Sequence, residues 1–161
     1  MNITGKWKGD YTFEETTEGG ERKVLGTTVT FTMELKQGFL SSVSGTVQDD
    51  PRAGFPEAGT IKGKLKGNIL SFEKIQPLMR LVHEPTRMTV EELAERHKVV
   101  MDTKIRHPKI RHIGDISADG NSIEGTWLSP EQSIEIPGSY QSVQLPKLAG
   151  SFKMSRDTTS A

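Results

Sequence analysis

The run Ser41-Ser42-Val43-Ser44-Gly45-Thr46-Val47-Gln48 alternates strictly, with Val43, Gly45 and Val47 on one side and Ser42, Ser44 and Thr46 on the other. Past a loop rich in Asp, Pro and Gly, Thr60-Ile61-Lys62-Gly63-Lys64-Leu65-Lys66 repeats the pattern, setting Ile61, Gly63 and Leu65 against lysines. Gly67-Asn68 then joins it to Ile69-Leu70-Ser71-Phe72-Glu73-Lys74-Ile75. A two-residue period marks strands buried on one face, and a Gly-Asn link makes the last two antiparallel neighbours. Such a meander predicts the middle of a β-barrel.

The same period extends outward in both directions. Residues 5–14 place Trp7, Gly9, Tyr11 and Phe13 on one face, and residues 28–35 do so with Val29, Phe31, Met33 and Leu35. The segment 49–57 carries Pro51 and Pro56, which cannot donate to a strand ladder, so it is expected outside the sheet. After Pro108 the alternation resumes with Ile110, His112, Gly114 and Ile116 on one face; Asp119-Gly120 is a hairpin turn, and Ile123, Gly125 and Trp127 line the returning strand. Short strands are expected near 134–136 and 140–145, and residues 150–156 close the domain with Phe152, Met154 and Arg156 on one side. Gly9, Gly45, Gly63, Gly114 and Gly125 fall mid-strand on the apolar face, where they permit the sharp coiling that closes a small barrel.

One helix is expected. Thr89-Val90-Glu91-Glu92 is a capping box, and Val90, Leu93, Ala94, His97 and Met101 share a helical face, which predicts a helix over about 90–101. It lies in an insertion, 77–108, long enough for a barrel connection to act as a lid. The expectation is thus an all-β protein: an antiparallel up-and-down barrel of about eight to nine strands in a single domain, 1–156, with one short helix in an insertion and a polar tail at 157–161.

Composition limits the function classes. Lys plus Arg and Asp plus Glu number 21 each in 161 residues, which gives no overall electrostatic footprint for nucleic acid or an anionic membrane. Cysteine is absent, which removes disulfides and thiolate chemistry. No apolar run approaches membrane-spanning length and the first residues carry no apolar leader core, so a soluble, cytoplasmic protein is expected, monomeric or homodimeric.

Gly5-Lys6-Trp7 on the first strand and Arg156 on the last resemble the calycin pattern of lipocalins, fatty-acid-binding proteins and avidins. In lipocalins an arginine from the end of the barrel covers the first-strand tryptophan, and a cation–π contact supplies the physical reason. Gly125-Thr126-Trp127 and Gly150-Ser151-Phe152 are similar to later strands of such barrels. The chain departs from the pattern in lacking Thr-Asp-Tyr in its middle, the paired helices of fatty-acid-binding proteins after the first strand, and the many tryptophans of avidins. The resemblance implies a calycin-like fold and, as a class expectation, a small apolar ligand held inside the barrel by a carrier or sensor.

Chemical motifs are sparse. Gly59-Thr60-Ile61-Lys62-Gly63-Lys64 is one residue short of a phosphate loop and lies on a strand; His83-Glu84-Pro85 lacks the second histidine of a zincin; no Gly-x-Ser-x-Gly elbow occurs. No catalytic residue, cofactor or metal site is therefore assigned. Asp49 and Asp50 are read as capping or turning a loop, because Pro51-Arg52 spoils calcium-ligand spacing. Two polar residues interrupt apolar faces. His112 stands between Ile110 and Gly114, where a neutral imidazole can anchor a carbonyl, hydroxyl or carboxylic acid; Lys74 is read as a strand-end side chain reaching water or as a second anchor. The candidate ligand-binding set is Tyr11, Phe13, Phe31, Met33, Phe72, Lys74, His112 and Trp127. Two other readings stay open: an enzyme using His112 with a carboxylate for acid–base chemistry, and a side-chain-filled barrel with a structural or interaction role.

Overall fold

A computed structural model describes residues 1–16, 25–77, 107–135 and 142–158. Eight strands form a closed antiparallel barrel: β1 (Gly5–Thr16), β2 (Thr28–Gln37), β3 (Ser42–Asp49), β4 (Gly59–Lys66), β5 (Ile69–Ile75), β6 (Ile110–Ile116), β7 (Ser122–Ser129) and β10 (Leu148–Arg156). Each strand from β1 to β6 pairs with the next in sequence, and β10 closes the ring between β7 and β1. The short strands β8 (Gln132–Glu135) and β9 (Ser142–Leu145) pair with each other apart from the barrel. The expected helix at 90–101 and nearly all of the insertion lie outside the described residues; within them, helical structure is a 3-10 turn, Phe39–Ser41.

Alternation in sequence becomes alternation in burial. Val29, Phe31, Met33 and Leu35 of β2 are buried while Thr28, Thr30, Thr32 and Glu34 between them are exposed. The inward residues of all eight barrel strands make one apolar core. Closing so small a ring requires neighbouring backbones to approach closely at the coiled corners. At Gly125 a Cβ would stand 1.9 Å from the carbonyl oxygen of Ile113 across the β6–β7 pair, so no larger residue fits that backbone. Gly9, Gly45 and Gly63 meet neighbouring carbonyl oxygens almost as closely, whereas Gly114 yields its space to the Phe152 ring.

The two ends of the barrel differ. At one end the connections are short, 38–41, 67–68 and 117–121, and Trp7 plugs the core with no exposed surface. Trp7 faces Arg156 in register, the guanidinium lies 4.8 Å from the ring centroid, and the indole N–H donates to Ile3 O at 2.9 Å. Arg156 also donates to Gly120 O and Thr4 O, each at 3.1 Å, and to Asn2 O, tying the N-terminal segment across the barrel bottom. The long connections, 17–27, 50–58, 76–109 and 130–147, all leave from the opposite end. That end holds the polar residues of the interior.

Candidate functional site

Parity along the strands brings the site together. Tyr11 on β1, Asp49 at the end of β3, Lys74 on β5, His112 on β6 and Trp127 and Ser129 on β7 all point inward near the end with the long connections. The Lys74 stem passes over β4, and its ammonium bonds Asp49 Oδ1 at 2.7 Å, with both side chains all but removed from solvent. Asp49 Oδ2 accepts from the Tyr11 hydroxyl at 2.8 Å and from the Phe55 backbone N–H at 3.2 Å. A carboxyl that accepts from every partner is acting as a carboxylate, and Lys74 is its counter-ion. Lys74 Nζ also stands 5.0 Å from the Tyr11 ring centroid and 5.1 Å from that of Phe55.

These contacts correct the reading of Lys74 and extend that of Asp49. Lys74 does not reach water; the strand end that was expected to release it is covered by the loop carrying Phe55, and the side chain is paired instead. Asp49 belongs to β3, which runs one residue further than expected, so parity points it inward with Val47; it still caps the following loop by accepting from the Phe55 N–H at 3.2 Å. Asp50 takes the turn role, accepting from Arg52 N at 3.0 Å.

Burial sets the ionisation of the set. Desolvation lowers the Lys74 pKa, and Asp49 opposes that shift. The Tyr11 phenol is pushed far above its ordinary value by burial and then by the adjacent carboxylate, so it stays a donor. His112 is pushed down to about 3, first by burial and then by the charge of Lys74. Its ring stacks on Phe72 with centroids 4.5 Å apart, meets the edge of Phe152 at 5.3 Å, and places Nδ1 3.2 Å from Ile110 O. His107, also shifted down chiefly by burial, sets Nδ1 2.8 Å from Pro108 O and packs its edge on Phe55 at 4.8 Å.

A cavity of about 100 Å³ lies among these groups. Of the expected ligand-binding residues, Tyr11, Phe13, Lys74, His112 and Trp127 line it. Phe31, Met33 and Phe72 sit in the core away from it, Phe31 behind Tyr11 at 6.2 Å and Phe72 behind His112. Phe55, His107, Ile110, Ser129 and Leu148 complete the wall and were not expected there. Ser129 and Leu148 were legible by extending their strands' parity, whereas Phe55 and His107 come from connections, where no period points a side chain. Trp127 is fixed by passing over Gly150, where a Cβ would stand 2.8 Å from Nε1; its N–H donates to Thr12 O at 3.2 Å. Larger depressions of about 630 and 570 Å³ lie on the outer wall by Gly9 and Gly63, lined largely by outward strand residues.

Among the described residues, no group of three or more His, Asp or Glu side chains is placed to hold a metal, and no helix is long and apolar enough to cross a membrane. No protein-family model and no curated protein matches the sequence.

Proposed function

We propose that the protein is a calycin-like barrel that holds a small, mostly apolar molecule at its open end, as a carrier or sensor. The observation that carries this reading is the buried Lys74–Asp49 pair beside a cavity walled by aromatic rings. A buried ion pair gives little or no net stability over apolar residues of the same volume. A barrel that needed only to be filled gains nothing by placing one next to a void, whereas a binding site needs fixed polar groups in an apolar wall. The up-and-down order and the Trp7–Arg156 contact support the calycin class. The acid–base alternative calls for a histidine bonded to a carboxylate; His112 bonds Ile110 O, and Asp49 is taken by Lys74, Tyr11 and Phe55.

The cavity is well below the roughly 300–1,000 Å³ that encloses a drug-sized molecule. It fits the polar head of a ligand whose apolar remainder extends toward the mouth. Titration with the neutral probe N-phenyl-1-naphthylamine, read as probe emission and Trp127 quenching, tests this. Saturable binding is expected in the wild type, with loss in Ser129→Phe, which fills the cavity from a wall position. Absence of saturation, or equal binding by both proteins, contradicts the reading.

A further inference from the structure

The ligand's head group follows from which hydrogen-bonding valences around the cavity are already used, an inference that rests on the binding reading above. The Tyr11 hydroxyl gives its hydrogen to Asp49 at 2.8 Å, and the Trp127 indole gives its hydrogen to Thr12 O at 3.2 Å. His107 and His112 each set Nδ1 against a backbone carbonyl oxygen, at 2.8 and 3.2 Å. A carbonyl oxygen has no hydrogen to give, so Nδ1 is the protonated nitrogen in both neutral rings and Nε2 is left as an acceptor. Neither Nε2 has a hydrogen-bond partner among the described residues. Burial and the nearby ammonium disfavour a second proton on either ring. Lys74, the cation of the described wall, gives one N–H to Asp49 at 2.7 Å, which balances its charge, and its ammonium faces the Tyr11 and Phe55 rings at 5.0 and 5.1 Å; the Ser129 hydroxyl, which can donate or accept, completes the polar groups.

We propose that this cavity selects an uncharged apolar molecule ending in a hydrogen-bond donor, such as an alcohol, a phenol or an N–H amide, and rejects the corresponding carboxylate. The donor is satisfied by an imidazole Nε2. A carboxylate would face acceptor nitrogens, with the cation of the described wall already paired to Asp49, so the Ser129 hydroxyl and the remaining ammonium N–H groups would leave its buried charge largely uncompensated. A lysine facing an apolar cavity ordinarily suggests an acid-binding site; its pairing here reverses that expectation.

A head-group series on one chain tests the proposal: 1-octanol, octanoate and methyl octanoate, measured by calorimetry and Trp127 fluorescence at neutral pH. Octanol is expected to bind at least about tenfold more tightly than octanoate, with the ester, which has no donor, in between. In Asp49→Asn the unbalanced Lys74 is expected to shift the octanoate-to-octanol affinity ratio about tenfold toward octanoate. The His107→Phe/His112→Phe double variant keeps apolar rings in the wall and is expected to bring octanol down to the ester. If wild-type protein prefers octanoate, or if the double variant keeps its preference for octanol over the ester, the head-group proposal is overturned while the binding site stands. If none of the three binds, the site itself is refuted and this proposal with it. Should Asp49→Asn fail to fold, the wild-type series still decides.

Discussion

Replacing His112 by leucine should change how the fold responds to acid. The unfolded chain protonates this ring near the ordinary imidazole value of 6.5, whereas the folded ring accepts a proton only near about 3. Between those values the unfolded state binds more protons, so stability falls as pH falls through the window and the full loss is reached near the lower value. At 1.36 kcal/mol per pH unit, the loss from this single ring is about 3 kcal/mol at about pH 4. His112→Leu has no such term. It leaves Ile110 O without its imidazole partner at every pH, a constant cost that cancels when one protein is compared with itself. Urea unfolding of both proteins at about pH 7 and about pH 4 gives two pH-dependent losses, and the wild-type loss should exceed that of the variant by about 3 kcal/mol. Every other group is common to both proteins and drops out of the difference. Equal losses would refute the claim that His112 is held neutral by its surroundings, as would an imidazole proton resonance that titrates near its ordinary value.

Further outcomes follow from the same contacts. Asp49→Ala should cost about 3–5 kcal/mol, because Lys74 is left buried and unpaired, and Lys74→Met with Asp49→Leu should recover most of it in thermal or urea unfolding. Arg156→Ala should cost about 1–2 kcal/mol through the lost Trp7 contact and loosened N-terminal segment, seen as a red-shifted Trp7 emission in a Trp127→Phe background. Gly125→Ala should cost on the order of 3 kcal/mol or more, since its Cβ has no space against Ile113 O, and a variant of wild-type stability would show that the ring closes with less strain.

The barrel was legible because one face of each strand is buried and the other is wet, and that difference writes a two-residue period into the chain. The same period placed His112 inward and paired Trp7 with Arg156 across the seam, since the first and last strands must meet. It carried Asp49 too, but an Asp-Asp-Pro sequence reads as a turn, and one residue of strand length decides between a surface cap and a buried anion. Lys74 was ambiguous for a different reason. Its partner lies on a strand that is not its neighbour, and no local pattern links them. Phe55 and His107 reach the cavity from irregular segments, so only the three-dimensional path of those connections reveals them.

The central claim is that the open end, and not the plugged end, is a binding site. The chain carries two tryptophans, one at each place: Trp127 on the cavity wall and Trp7 under Arg156. A two-dimensional nitrogen–proton NMR titration with 1-octanol reads both indole N–H signals in one experiment. The account predicts that the Trp127 signal shifts saturably while the Trp7 signal stays in place. A Trp127 signal that does not move, or one that moves only together with Trp7, would contradict it.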